Sequence, residues 1–364
     1  MQKNLTITSK LIREQNLHLI RKALHDEQVS TTSVLHEKTG LSVVTINKLL
    51  NLLITTGEVI EGEKGASING RPAATYRFNE MNKLILILSV YHRSGHKYVG
   101  YSVHNLFGEC LERREELIDD KQSIHTNEFK IGMERYIERY KKIAVIGVSM
   151  PSDDVGGRVG SAIRHDSHAS RLSSHLEKHF NLPVFFETDI NAATLGCYKR
   201  LKDQECVSGI ILIPGKIPSC GFCYNGQVLR GKDGMAGEIR YFPMYNDVGV
   251  LPIESMQADD LAIRTIRAIM CVLNPGYVSI YTESLKPGLI DRLRKQLSTP
   301  AEEALLPKIE ISDVLILCKL VYNESLCKAL YVNVFLPSGL RVEILVDKLG
   351  LRFEEIVLHI FQLC

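Results

Sequence analysis

Residues 31–79 read TTSVLHEKTGLSVVTINKLLNLLITTGEVIEGEKGASINGRPAATYRFN. Ser30, Thr31 and Thr32 offer hydroxyl oxygens that can accept from the free amides of a helix start, and Gly40 offers the left-handed backbone that ends a helix. Ser42 is a second N-cap, after which VVTINKLLNLLITTG puts Val43, Ile46, Leu49, Leu50 and Leu53 on one apolar stripe before Gly57. Two short strands follow, Glu58 to Ile60 and Ala74 to Phe78, around a turn centred on Gly65 to Gly70. Upstream, residues 10–25 carry Leu11, Ile12, Leu17, Leu19, Ile20 and Leu24 near the helical period, which predicts a first helix.

Helix, helix, turn, helix and hairpin, in that order, predict a winged helix-turn-helix over residues 1–79. Its third helix is narrow enough to enter a DNA major groove and present its first turns to base edges. The candidate contacts there are Ser42, Val43, Thr45, Asn47 and Lys48. Asn47 suits a bidentate pair with adenine, Thr45 offers a hydroxyl and a methyl, Lys48 suits a phosphate, and Val43 suits a thymine methyl. Arg71, between Gly70 and Pro72 at the wing, suits a phosphate or a narrow minor groove.

The chain is 364 residues long, enough for this small domain and a larger one with a core of its own. A net charge of +2 is too small to imply a bulk polyanion binder, so any nucleic-acid contact must come from local arrangement. The nine cysteines are odd in number and scattered, which predicts reduced thiols in a cytoplasmic protein. No apolar stretch is long enough to span a bilayer, and no secretory leader is evident at the start.

Beyond Asn79 the pattern changes. LILILSV, KIAVIGVSM, PVFFET and GIILIPG are buried-strand runs alternating with helical stretches, which predicts an α/β domain over residues 83–364, joined by a linker at 79–82. Four longer segments carry a family resemblance: GVSMPSDDVGGRVGSAI (147–163), LEKHFNLPVFFETDINAATLG (176–196), NGQVLRGKDGMAGEIRYFP (225–243) and LNPGYVSIY (273–281). Together with Gly70-Arg71-Pro72-Ala73 in the first domain, they make the chain resemble the ROK family, named for repressors, open reading frames and kinases. The resemblance implies a two-lobed, actin-like (ribonuclease H-like) domain after the winged helix-turn-helix. It also implies a ligand set of Thr188, Asp189, Glu238, Tyr241 and Glu254. In the family's kinases the residue matching Asp189 is the general base toward the attacking sugar hydroxyl, and the two glutamates hold the sugar.

The departures from the family pattern matter as much. Thr188 replaces an Asn, and Tyr241 a His. The first strand should lead into Asp-x-Gly-x-Thr, yet no Asp occurs between Asp26 and Asp119, and YHRSGHKYV stands there. The second phosphate loop should be Gly-rich, yet residues 214–221 read PGKIPSCG. After Asn274-Pro275 the family's Gly-Gly is absent. The family's zinc ligands are absent too, since neither Cys nor His occurs between Cys223 and Cys271. Cys220 and Cys223 have no second pair nearby. His175 and His179 stand at i,i+4 without an accompanying HExxH, which predicts a polar helix face.

The resemblance therefore implies a regulator and not an enzyme, with no cofactor and no metal. It implies a repressor of carbohydrate genes acting on double-stranded operator DNA as a homodimer or higher homo-oligomer, with a sugar or sugar phosphate as effector. Two other readings stay open. One is an active ATP-dependent sugar kinase, which Asp189 favours and the missing phosphate motifs oppose. The other is a regulator whose second domain only dimerises or binds protein.

Overall fold

The structure is a computed structural model, and it describes residues 9–64, 74–119, 127–151, 168–201, 203–213, 218–231, 235–239, 242, 245–246, 249–250, 258–283, 288–296 and 303–313. The chain forms two compact units that divide between Lys83 and Leu84.

The first unit runs α1 (Ser9–Glu27), β1 (Val29–Thr31), α2 (Thr32–Thr39), α3 (Val43–Thr55), β2 (Val59–Lys64) and β3 (Ala74–Phe78). Thr31 caps α2 by accepting from the Val34 amide, and Gly40 ends it at φ 68° with its amide on the His36 carbonyl. Ser42 caps α3 through the Thr45 amide. Three antiparallel strands in the order β1-β3-β2 close one side of the unit. Its core is Leu17, Ile20, Leu24, Leu35, Ile46, Leu49, Leu50, Leu53 and Phe78, all buried.

Two residues depart from the stripes expected for these helices. Val43, in the first turn of α3, and Ile12, near the start of α1, are exposed. The strand β1 was not expected, since three residues are too few to show a period. Residues 79–82, expected as a linker, are fastened to the turn after α3: the Asn79 side-chain amide donates to the Gly57 carbonyl and that of Asn82 to the Thr56 carbonyl.

The second unit repeats one plan twice. Its first lobe is β4 (Leu84–Arg93), β5 (His96–His104), β6 (Cys110–Ile118), α4 (Asn127–Arg139), β7 (Ile143–Met150), α5 (His168–Phe180) and β8 (Val184–Thr188). The strands lie in the order β6-β5-β4-β7-β8, with β4, β5 and β6 antiparallel and β4, β7 and β8 parallel. After α6 (Asp189–Arg200) the second lobe follows: β9 (Cys206–Leu212), β10 (Ser219–Tyr224), β11 (Gln227–Val228), a small β12 (Tyr245–Asn246) and β13 (Gly249–Val250) pair, α7 (Ala258–Leu273), β14 (Tyr277–Thr282), α8 (Leu289–Lys295) and β15 (Lys308–Ser312). Its sheet has the order β11-β10-β9-β14-β15 and the same alternation of sense. Each lobe is thus a three-strand meander whose first strand also starts a parallel run.

Both lobes bury their central strands on two faces, which is why β4, β7, β9 and β14 read as nearly unbroken apolar runs. In the first lobe Leu84, Leu86, Leu88 and Val90 face α4 and α5 through Phe129, Met133, Leu172 and Leu176. In the second, Ile210, Leu212, Val278 and Ile280 face α7 and α8 through Leu261, Ile266, Leu289 and Leu293. The helix α6 connects the lobes and lies against β9 and β10. A Cβ on Gly221 would stand 2.5 Å from the Thr194 hydroxyl and 2.8 Å from the Ile190 carbonyl oxygen, so glycine is what lets the helix approach this closely.

Candidate functional site

The first candidate surface is the outer face of α3. Ile46, Leu49, Leu50 and Leu53 turn inward, which sends Val44, Asn47, Lys48, Asn51 and Thr55 outward at helical spacing. No carboxylate occurs anywhere in the helix. Ser42 and Thr45 sit at its start with their hydroxyls 2.9 Å apart, and the Ser42 oxygen also takes the Thr45 amide at 3.2 Å. Those oxygens are therefore partly occupied in holding the helix start. Asn47 accepts from the Thr32 hydroxyl at 3.4 Å through its oxygen, which aims the amide nitrogen elsewhere. Lys48 is exposed. Val43 is 47% exposed and Val44 79% exposed. Val44 was not singled out from sequence, although its spacing from Asn47, Lys48 and Asn51 was the available signal. Arg71 lies outside the described residues.

The second candidate surface is where the carboxyl ends of both parallel runs meet, the place open α/β sheets use for ligands. In the first lobe β4 turns into β5 through Ser94 and Gly95, both at positive φ, a two-residue hairpin turn. In the second lobe Glu283 directly follows β14. The Ser94 amide donates to both of its carboxylate oxygens, at 2.8 and 3.1 Å, across 189 residues of chain. A carboxylate thus occupies the amide of the turn where the resemblance led one to expect Asp-x-Gly-x-Thr. Residues 214–217 of the expected second loop lie outside the described residues.

Asp189 and Thr188 stand at the junction of β8 and α6, both buried. Thr188 caps α6, its hydroxyl accepting from the Asn191 amide, so the replacement for the family's Asn has a structural task. Asp189 opens the helix and accepts from the Ile190 amide at 2.7 Å, where a negative charge suits the helix dipole. Glu187, not singled out from sequence, organises this turn. It accepts from the Thr188 amide and the Asn191 side chain and pairs with Arg230. Arg230 leads into the segment that carries Glu238, with the Ala236 amide on its carbonyl. Gly237 has φ 93°, and a Cβ there would stand 2.0 Å from the Cys220 carbonyl oxygen. Glu238 is therefore delivered beside β10, the strand against which α6 packs. Tyr241 and Glu254 lie outside the described residues, so of the five expected ligand residues the structure describes Thr188, Asp189 and Glu238.

Burial, helped by the charge of Glu238, pushes the Cys220 thiol well above its ordinary range, and burial pushes Cys223 up to about 12. An odd separation along one strand also sends their sulfurs to opposite faces of the sheet, away from a common ligand. His175 and His179 are exposed on α5, and His179 bonds Glu134 of α4 at 2.6 Å, tying two helices together.

Residues 116–250 match the model of the ROK family. The chain is 27% identical over 247 residues to a protein named putative xylose repressor from Caldicellulosiruptor sp. (strain Rt8B.4), covering 65% of this chain and 61% of that one. It is 22% identical over 236 residues to the xylose repressor of Bacillus subtilis (strain 168), covering 63% and 60%. The chain spans about three fifths of the length of these curated relatives. A solved ROK family transcriptional regulator, described as a homologue of the E. coli MLC protein, superposes with a TM-score of 0.62 at 17% identity, over 89% of this chain and 99% of that one. At that identity the likeness is one of fold, and at 89% of the chain it reaches into both units. Over residues 116–250, less than half of its length, the chain is thus similar to the ROK family.

Proposed function

We propose that the protein is a sequence-specific DNA-binding regulator that represses carbohydrate genes in the cytoplasm, with the second unit as its effector and dimerisation domain. The observation that carries this reading is the carboxylate-free outer face of α3, set in a winged helix-turn-helix with Lys48 and Asn47 exposed. Ser42, Val43, Thr45, Asn47 and Lys48 are the proposed contacts from that helix, and Arg71 the contact from the wing. The names of the curated relatives support repression and a sugar effector. No described helix is long and apolar enough to cross a membrane.

The effector is a sugar or sugar phosphate held near Asp189 and Glu238, with Thr188, Tyr241 and Glu254 completing the set. Catalysis is not part of the proposal, because the turn that would carry a metal-binding Asp carries Ser94 and Gly95 and is bonded to Glu283. One recognition helix reads only a few base pairs, so the protein acts as a dimer on a near-palindrome with half-sites about 34 Å apart. The test is a mobility shift of the full chain on DNA from upstream of its own coding region, at several salt concentrations. Affinity above random DNA that falls with salt is the expected result, and equal affinity for both overturns the reading.

A further inference from the structure

We infer that Val44 is a base-reading residue, and that it recognises the 5-methyl group of a thymine in each half-site. The inference rests on the regulator reading and adds the chemistry that one helix position selects. Among the described residues of the first unit Val44 is the most exposed large apolar side chain, and Val43 beside it is half exposed. Leaving two adjacent valines in water at a helix start is costly to a free protein, by about 25 cal/mol per Å² of apolar surface. Nothing in the unit's own core requires them there, since Ile46, Leu49, Leu50 and Leu53 already fill the buried stripe.

The neighbours decide what covers them. Asn47 and Lys48 lie one turn further on the same face, Asn51 one turn beyond, and the helix holds no carboxylate, so an apolar or basic protein surface is poorly matched. A major groove matches each feature: phosphates for Lys48, base edges for Asn47, and for an aliphatic side chain the one apolar group that groove presents, the thymine methyl. Val44 lies in the first turn, where a recognition helix meets base edges. The polar groups there, Ser42 and Thr45, are partly engaged with each other and with the helix start, whereas the valine side chains are exposed beside them.

The experiment uses the full chain and DNA selected by it from a random double-stranded library. Each thymine of the selected site is replaced singly by deoxyuridine, which removes only the methyl, and affinities are measured for wild type, Val44→Ala and Val44→Thr. For wild type, one symmetric thymine position should cost about four-fold in affinity per half-site, the value of one buried methyl-sized group. Val44→Ala should lose that sensitivity at that position alone, and restoring a methyl as 5-methylcytosine opposite guanine should separate methyl contact from hydrogen bonding. Because Val44 is exposed, both variants should keep the wild-type unfolding temperature, and a fall in it would mean Val44 holds the fold. Enrichment of a site with no methyl-sensitive thymine, or equal sensitivity in Val44→Ala, overturns the inference while leaving the regulator reading intact. Failure to enrich any sequence overturns both.

Discussion

At the scale of single residues, two buried polar groups bind elements together, and each gives a measurable consequence. His104 is fully buried at the end of β5, with one ring nitrogen 3.2 Å from the Gly108 carbonyl oxygen and the other 2.8 Å from the Ser102 hydroxyl. A carbonyl only accepts, so the first nitrogen donates and the second accepts the Ser102 proton, a pattern that requires a neutral ring. Burial lowers its pKa to about 4 from the ordinary 6.5. Between those values the unfolded chain binds a proton that the folded chain refuses, so stability falls as pH is lowered. Denaturant unfolding should show a loss of about 2 kcal/mol between pH 7 and pH 5 from this group alone. His104→Gln should remove that part of the slope, and an unchanged slope would show that other groups carry it.

In the first unit the corresponding group is Glu58. It takes Arg21 from α1 through both carboxylate oxygens, at 2.6 and 3.1 Å, and the Thr56 hydroxyl at 2.9 Å, with Arg21 and Glu58 both buried. Arg21→Met strands that carboxylate and should cost about 3 kcal/mol or more, whereas Arg21→Met combined with Glu58→Leu should recover most of the loss. Thermal unfolding of the three proteins tests this, and a double variant no better than the single one would contradict it. Neither pairing was legible in the sequence. Arg21 and Glu58 are 37 residues apart, and only the packing of α1 on the turn after α3 makes them neighbours. The caps Thr31 and Ser42, by contrast, were legible because a cap is local: hydroxyl and amide lie three residues apart.

At the scale of elements, the same distinction decides which parts sequence revealed. The apolar stripe of α3 and the doubly buried strands β4, β7 and β9 announce themselves by period or by unbroken hydrophobicity. The strand β1 does not, because its place is fixed by pairing with β3 and not by its own three residues. The two lobes were implied by the family resemblance and not by pattern, since two sheets with one topology need not share side chains. The hairpin turn at Ser94-Gly95 was visible as a missing motif, but its bond to Glu283 across 189 residues was not. That bond joins the two lobes at the carboxyl ends of their sheets and makes a specific prediction. Glu283→Ala should raise amide hydrogen exchange at Ser94 by several-fold while leaving the β4 interior protected, because only the turn amide loses its acceptor. Unchanged exchange at Ser94 would mean that the bond is not kept in solution. Glu283→Gln keeps one acceptor oxygen and should be intermediate.

At the scale of the whole molecule, the proposed sensor role places a thermodynamic requirement on the two functions. If a sugar or sugar phosphate bound near Asp189 and Glu238 changes affinity for operator DNA by some factor, operator DNA must change affinity for that sugar by the same factor. A coupling of ~1–3 kcal/mol corresponds to roughly five- to 150-fold in each direction. The residues that carry the sugar side can be separated from those that hold the fold. Thr188 caps α6, Glu187 is tied to Arg230, and Asp189 accepts from the Ile190 amide. Asp189→Asn therefore keeps an acceptor for that amide and removes the charge that a sugar hydroxyl would bond most strongly. Calorimetric titration of pentoses, hexoses and their phosphates into wild type should find at least one ligand, and Asp189→Asn should weaken it at least ten-fold without lowering the unfolding temperature. Repeating the titration with operator bound should shift the affinity by the factor that the sugar imposes on operator binding. Equal sugar affinity with and without DNA, beside a sugar-dependent operator affinity, is forbidden at equilibrium and would expose a second ligand site. Absence of any sugar binding would leave the second unit a dimerisation domain.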